Sequence, residues 1–268
     1  MKKQDRTIYD DSSSFYEELI NTFRADFEYY NTLLQVLKPT SILEIGCGCG
    51  RLFGVYEKYC NDVVGVDLSE ELVKLAHKKF PNVKVVIGDI ISFNLDRDFD
   101  LIVISNSLLK HIERNNDRVQ VLKNVIKHLS NKGVVSIDHS DYLYYEDHTT
   151  DWVNADQTIA AKWFPNENGI LSQVQWRKRV FGANDNLSWR RITKNGYASE
   201  IEYSAFQYSI IQLQSHLSDV GLYYERLLTD YDKEGLLENG KRFISIAGLN
   251  KQHLATIKKQ FIDAFSLI

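Results

Sequence analysis

The sequence predicts an α/β fold, with a largely parallel sheet covered by helices on both faces and an antiparallel β insertion. Three observations carry this. Between residues 41 and 140, short apolar runs alternate with helical patterns, as when strands buried on both faces are joined by crossover helices. The first run, Ile42-Leu43-Glu44-Ile45, passes straight into Gly46-Cys47-Gly48-Cys49-Gly50-Arg51, a turn that lets the backbone approach a small ligand at a helix start. After about residue 145 the runs become rich in β-branched and aromatic residues and are divided by Asn, Asp and Gly clusters.

Taken in order, residues 12–37 read as one helix, with Asp11 or Ser12 as cap and Phe15, Leu19, Phe23 and Phe27 at helical spacing, before Pro39 breaks the pattern. Strand one is Ser41–Ile45, and Arg51–Tyr59 is the following helix. Val63–Val66, Lys84–Ile87, Phe99–Ile104 and Val134–Asp138 are the next four strands. Helices Glu70–Lys79 and Asp117–Leu129 lie between them, the second closing at Asn131-Lys132-Gly133. Leu171–Phe181, Leu187–Thr193 and Tyr197–Phe206 form the insertion, divided at Ala183–Asn186 and at Asn195-Gly196, a hairpin signal. A helix at Ile210–Val220 and strands Leu222–Leu228 and Phe243–Ala247 complete the sheet. Leu254, Ile257, Phe261 and Phe265 mark a C-terminal helix that packs on the core rather than anchoring in a membrane. The resulting organisation is an N-terminal helical lid (1–38), a core (39–145), the insertion (146–208), the end of the core (209–250) and a C-terminal helix (251–268).

With 268 residues, 44% of them hydrophobic, the chain can bury a sizeable core. A net charge of −4 without long runs of like charge argues against a nucleic-acid partner. Three cysteines do not make a disulfide framework, and Cys47 and Cys49 have no second ligand pair at zinc spacing, so no metal is expected. No run spans a membrane, and the polar start Met1–Arg6 lacks the apolar core of a signal peptide, so a cytoplasmic location is expected.

The spacing of the glycines separates two cofactor classes. A dinucleotide fingerprint needs a third glycine five residues after the first, where Arg51 stands. The chain instead reads Glu44-x-Gly46-x-Gly48-x-Gly50, which resembles motif I of the class I S-adenosylmethionine (SAM)-dependent methyltransferases. That resemblance implies a Rossmann-like seven-stranded methyltransferase sheet with its last strand antiparallel, SAM as methyl donor and S-adenosylhomocysteine as product. Over residues 41–140 it continues in Val66-Asp67-Leu68-Ser69, Gly88-Asp89-Ile90, and Phe99-Asp100 followed by Leu109-Lys110-His111-Ile112.

The family pattern then implies roles for individual residues. Glu44, Gly46, Cys47, Gly48 and Gly50 form the cofactor turn; Asp67, beside Leu68, takes the ribose hydroxyls; Asp89 and Ile90 take adenine; Ser105 and Asn106 flank methionine. Tyr16 and Arg24, with Tyr9, belong to a lid that holds the methionine carboxylate. Read from the residues alone, Asp67 could cap the next helix beside Ser69, and Gly-Asp at 88–89 is an ordinary turn. Candidate bases are Asp138, His139 and His111, against structural roles for each.

An insertion after strand five with a helical lid is similar to small-molecule members, above all the N,N-dimethyltransferases of nucleotide-linked amino sugars. The segment from Tyr16 to Phe27 resembles their lid, with Glu17 and Phe27 departing from the pattern. A basic residue before the last strand falls at Lys241 or Arg242. Arg177, Lys178, Arg179, Arg190 and Arg191 are either a solvated hairpin face or a clamp for phosphate or carboxylate. The expected function is methyl transfer to nitrogen or oxygen of a small-molecule acceptor, with the insertion as acceptor side and candidate homodimer contact. The alternatives are a tRNA or protein methyltransferase and a SAM-binding protein without catalysis.

Overall fold

A computed structural model of the chain describes residues 13–20, 23–140, 158–165, 171–181, 184–193, 198–206, 208–231 and 242–267. Strands β1 (Ile42–Ile45), β2 (Val63–Asp67), β3 (Lys84–Ile87), β4 (Phe99–Ile104) and β5 (Leu129–Ser140) are parallel to one another. Strands β6 (Thr158–Pro165), β7 (Leu171–Phe181), β8 (Asn184–Thr193) and β9 (Ala198–Phe206) form a second, antiparallel sheet in sequential order. The chain then returns with β10 (Tyr223–Leu228) and β11 (Arg242–Gly248), giving the main sheet the order β10-β11-β5-β4-β1-β2-β3. Strand β11 is antiparallel to both its neighbours.

The alternation of side chains along each strand builds two apolar layers. Ile42, Leu101, Val103 and Val134 face helices α2 (Phe27–Leu37), α3 (Phe53–Tyr56) and α7 (Lys251–Phe265). Leu43, Ile45, Ile102, Ile104, Val135 and Ile137 face α5 (Asn115–Lys127) and α6 (Ile210–Asp219). Helix α4 (Glu70–Lys79) starts at Ser69, whose hydroxyl accepts the Leu72 N–H. Helix α6 has a full capping box between Ser209 and Gln212. No helix among the described residues is long and apolar enough to cross a membrane.

Several expected elements differ. The helix expected over 12–37 is two helices, α1 (Ser13–Ile20) and α2. No proline or glycine causes the break: the Arg51 guanidinium takes the Phe23 carbonyl and the Asp26 carboxylate, a contact 25 residues away that no local pattern announces. The helix after the glycine turn regularises only at Phe53–Tyr56, and its neighbouring bonds mix i−3 and i−4 spacing around Gly54. Helix α5 stops at Lys127, because His128 is anchored by its ring, stacked on Phe93 and accepting the Leu95 N–H. Asn131-Lys132-Gly133 therefore lies in an irregular start to β5, not at a helix end. Strand β6 was not expected; its alanines carry little strand signal and Pro165 suits an edge. Asn184–Asn186, read as a divider, pair within β8. Asn195-Gly196 lies outside the described residues.

Candidate active site

The groups that line the cavity gather mainly where β1, β2 and β4 end, the carboxyl edge at which open α/β sheets take ligands. Gly46, Gly48 and Gly50 all have positive φ (67°, 54° and 77°), a conformation that other residues adopt only with strain. The N–H groups of Gly46 and Cys47 both reach the Val66 carbonyl, and the Gly48 N–H reaches Asp67 Oδ2 at 2.8 Å. Asp67 Oδ1 accepts the Ser69 N–H at 2.9 Å. Ser69, not Asp67, caps α4, so the Asp67 carboxylate ties the glycine turn to the start of that helix. Gly65, in mid-strand β2, is a packing requirement: a Cβ there would lie 2.7 Å from Cys47 Sγ and from Phe53 Cζ.

Above this turn lies a cavity whose floor includes Glu44, Gly46, Cys47 and Gly48, and whose sides include Asp67, Leu68, Ile90 and Ser105. Tyr16 and Ile20 of α1 close over it, packed with Cys49 and Leu72. Glu44 is buried, accepts the Ser105 hydroxyl at 3.0 Å, and has its carboxyl pushed up to about 8, chiefly by burial and against the pull of Arg51. His111 also lines the cavity; burial, reinforced by the Lys110 ammonium, lowers its imidazole to about 4. The turn between β4 and the 3₁₀ helix Leu108–His111 is strained: Asn106 and Ser107 are consecutive non-glycine residues at φ 50° and 56°, each such residue costing about 1–2 kcal/mol.

Other residues expected at the site are placed elsewhere. Asp89 turns its carboxylate to the Ile91 N–H of its own turn and does not line the cavity, although its neighbour Ile90 does. Gly50 supports the turn from behind. Arg24 is exposed, with its guanidinium over the Phe27 ring. The arginine at the cavity is Arg51, read in the sequence only as the absence of a glycine. Its bidentate pair with Asp26 (2.7 and 2.6 Å) is almost wholly enclosed, and its charge lies over the rings of Phe23 and Phe27. Burial raises the Asp26 carboxyl, while the guanidinium pulls it back.

Neither candidate base on β5 reaches the cavity. Asp138 is buried, holding Arg242 Nη1 at 3.0 and 3.2 Å and the Asn106 N–H at 3.1 Å. His139 Nε2 donates to the Tyr208 carbonyl at 2.7 Å, on the side facing α6. Of the two basic positions expected near the last strand, Arg242 opens β11 and pairs with Asp138; Lys241, like Tyr9, lies outside the described residues. The side chains of Arg177, Lys178, Arg179, Arg190 and Arg191 also lie outside them. The backbone register nevertheless separates these positions: 177, 179 and 190 share one face of the second sheet, and 178 and 191 the other. Cys47, Cys49 and Cys60 are buried thiols, and no group of acidic, Cys and His residues suited to a metal occurs among the described residues.

The sheet order, the positive-φ glycine turn and the acid ending β2 are those of the Rossmann-like methyltransferase fold, a fold whose methyl donor is SAM. The donor set fits that molecule: the Asp67 carboxylate suits its ribose hydroxyls, the buried Glu44 carboxyl can ionise opposite its cationic end, and the glycines leave room for close approach. Residues 42–133 match the family described as Methyltransferase domain. The chain is 27% identical over 119 residues to the dTDP-3-amino-3,4,6-trideoxy-α-D-glucopyranose N,N-dimethyltransferase of Streptomyces venezuelae, covering 44% of this chain and 49% of that protein. It is 30% identical over 98 residues to the dTDP-4-amino-2,3,4,6-tetradeoxy-D-glucose N,N-dimethyltransferase of Saccharopolyspora spinosa, covering 37% and 39%. The chain thus spans about half or less of the length of these curated relatives. In fold it is similar to an S-adenosylmethionine-dependent methyltransferase from Clostridium acetobutylicum, with TM-score 0.69, 18% identity and coverage of 90% and 99%. The sugar N-methyltransferase KedS8 from a Streptoalloteichus species gives TM-score 0.66, 17% identity and coverage of 88% and 91%.

Proposed function

We propose that this protein transfers the methyl group of SAM to a nitrogen or oxygen of a small metabolite, with the amine of a nucleotide-linked amino sugar as the acceptor class. The observation that supports the acceptor class is the match, over 119 and 98 residues, to two enzymes named for N,N-dimethylation of dTDP-amino sugars. SAM supplies a methyl group already activated on a sulfonium. The residues of this chain have to bind, orient and exclude water. Glu44 offers a carboxyl that gives up its proton when positive charge binds at the methionine end, Asp67 holds the ribose hydroxyls, Ile90 packs by the adenine, and Tyr16 closes the cavity.

Orientation contributes on the order of 7–11 kcal/mol to such a displacement, whereas a general base adds about 10²–10⁴-fold, or roughly 3–5 kcal/mol. A site without a strong base is therefore adequate, particularly for an amine that attacks in its neutral form. His111, with its imidazole lowered to about 4, is uncharged at neutral pH and does not repel a sulfonium. The insertion supplies the acceptor side, and its basic positions suit an anionic nucleotide.

Incubation with methyl-labelled SAM and a panel of dTDP-linked amino sugars tests this reading. Label in a sugar amine supports it. Label in tRNA or protein, with none in small metabolites, overturns the acceptor class. SAM binding with no label in any acceptor class overturns catalysis and leaves a binding protein.

A further inference from the structure

We propose that Asp138 and Arg242 are a positioning pair that holds the strained turn after β4 in the shape the donor cavity needs, and that Asp138 takes no proton from the acceptor. This rests on reading the cavity as the SAM site.

The case begins with the turn. Asn106 and Ser107 are both left-handed and neither is glycine, so something outside the turn must hold them there. Asp138 does so twice: its Oδ2 accepts the Asn106 N–H and its main-chain oxygen accepts the Ser107 N–H, each at 3.1 Å. Ser140 adds a third tie, its N–H donating to the Ser107 hydroxyl at 2.9 Å. These three ties all come from the end of β5, and they hold a turn that contributes to the cavity wall. Asn106, Leu108 and His111 line the cavity, and Leu108 lies where a Cβ on Gly46 would be, so the turn also seats the first glycine of the cofactor motif.

Arg242 fixes the brace in turn. It enters β11 opposite Ser140, places Nη1 3.0 and 3.2 Å from the two Asp138 oxygens, and is itself held near the rings of Phe23 and Tyr231. A carboxylate 1% exposed, with both oxygens directed at fixed donors and absent from the cavity lining, is placed to hold backbone rather than to meet a ligand in that cavity. The same contacts suit it to set the backbone of its neighbour. A residue 104 positions away from Asp138 thereby shapes the methyl-donor site without touching it.

The test measures S-adenosylhomocysteine (SAH) binding by calorimetry and amide hydrogen exchange. Asp138→Ala is expected to weaken SAH at least about tenfold, the usual consequence of losing a charged hydrogen bond. Asp138→Asn, which keeps an oxygen toward the Asn106 N–H, is expected to bind within about threefold of wild type, since the acceptor is preserved. Exchange in Asp138→Ala should quicken at Asn106 and Ser107 while Val135 and Ile137 in β5 stay protected. Wild-type SAH affinity in the Ala variant overturns the proposal, as does loosening spread evenly along β5. If the Ala variant does not fold, rapid exchange at Asn106 in the folded wild type overturns it, and slow exchange there together with near-wild-type binding by Asp138→Asn supports it. Wild-type protein that binds no SAH removes the SAM reading itself; SAH binding unaltered by Asp138→Ala removes only the brace.

Discussion

Glu44 and His111 are two titratable side chains on one cavity wall that burial shifts in opposite directions, and both consequences can be measured. The Glu44 carboxyl is raised from 4.5 to about 8, so between those values the native state keeps a proton that the unfolded chain has released. Its contribution to stability therefore declines as pH rises from about 4.5 to about 8 and is level above that. Urea midpoints at pH 6 and pH 9 should fall more for wild type than for Glu44→Gln; equal falls would contradict the assignment. His111, lowered from 6.5 to about 4, works the other way: the unfolded chain binds the extra proton, so its contribution grows from about pH 4 to 6.5. At Asp67, the carboxylate that joins the Gly48 N–H to the start of α4 is the proposed ribose anchor. Asp67→Ala should weaken SAM at least about tenfold in calorimetry, because a charged acceptor and the brace of the turn are lost together. Near-wild-type affinity would remove Asp67 from the site.

At the scale of elements, the lid is held by charge rather than by its own helix signals. Asp26 is wholly enclosed and Arg51 nearly so, and Arg51 also reaches the carbonyl of Phe23 between α1 and α2. Asp26→Ala strands that guanidinium in a buried site, which costs about 3–5 kcal/mol; denaturant unfolding should show a loss of that order, and a loss below about 1 kcal/mol would mean that the pair is effectively solvated. Gly65→Ala places a methyl group against Cys47 and Phe53 beneath the turn; a loss of about 1–3 kcal/mol is expected from overpacking. In the insertion, the register makes a sharper prediction than the sequence did. Charge reversal at Arg179 and at Arg190, whose positions share a face, should change the acceptor KM alike, and reversal at Lys178 and at Arg191, on the other face, should form a second matched pair with a different effect. Equal effects from all four would show that the face does not matter. The sequence read the insertion as strands but missed β6, where alanines and a terminal proline hide the pattern.

For the whole molecule, a lid, a glycine turn and a β4 turn close on one cavity, so ligand binding should stabilise the fold. At SAH about a hundredfold above Kd the gain is about 2.7 kcal/mol, which for a chain of this size is a rise of about 5–10 °C in Tm. Thermal melts with and without SAH measure it, and no shift at saturating SAH would contradict the site.

By itself the sequence determined the α/β alternation, the strand ends at Ile45 and Ile104, strand two to within a residue of its end at Asp67, and the cofactor class. Those signals are local: apolar runs, glycines that must take positive φ, and an acid that ends a strand. The tertiary structure decided what depends on distant partners. It split the lid at Asp26 through Arg51, put Arg51 rather than Arg24 at the cavity, and turned Asp89 into a local turn cap. It also set Asp138 and His139 off the cavity lining and engaged them with Arg242, Asn106 and Tyr208. An acid at the end of a strand looks the same in sequence whether it faces a ligand or a guanidinium 104 residues away. Only the packing of β11 against β5 separates those two outcomes.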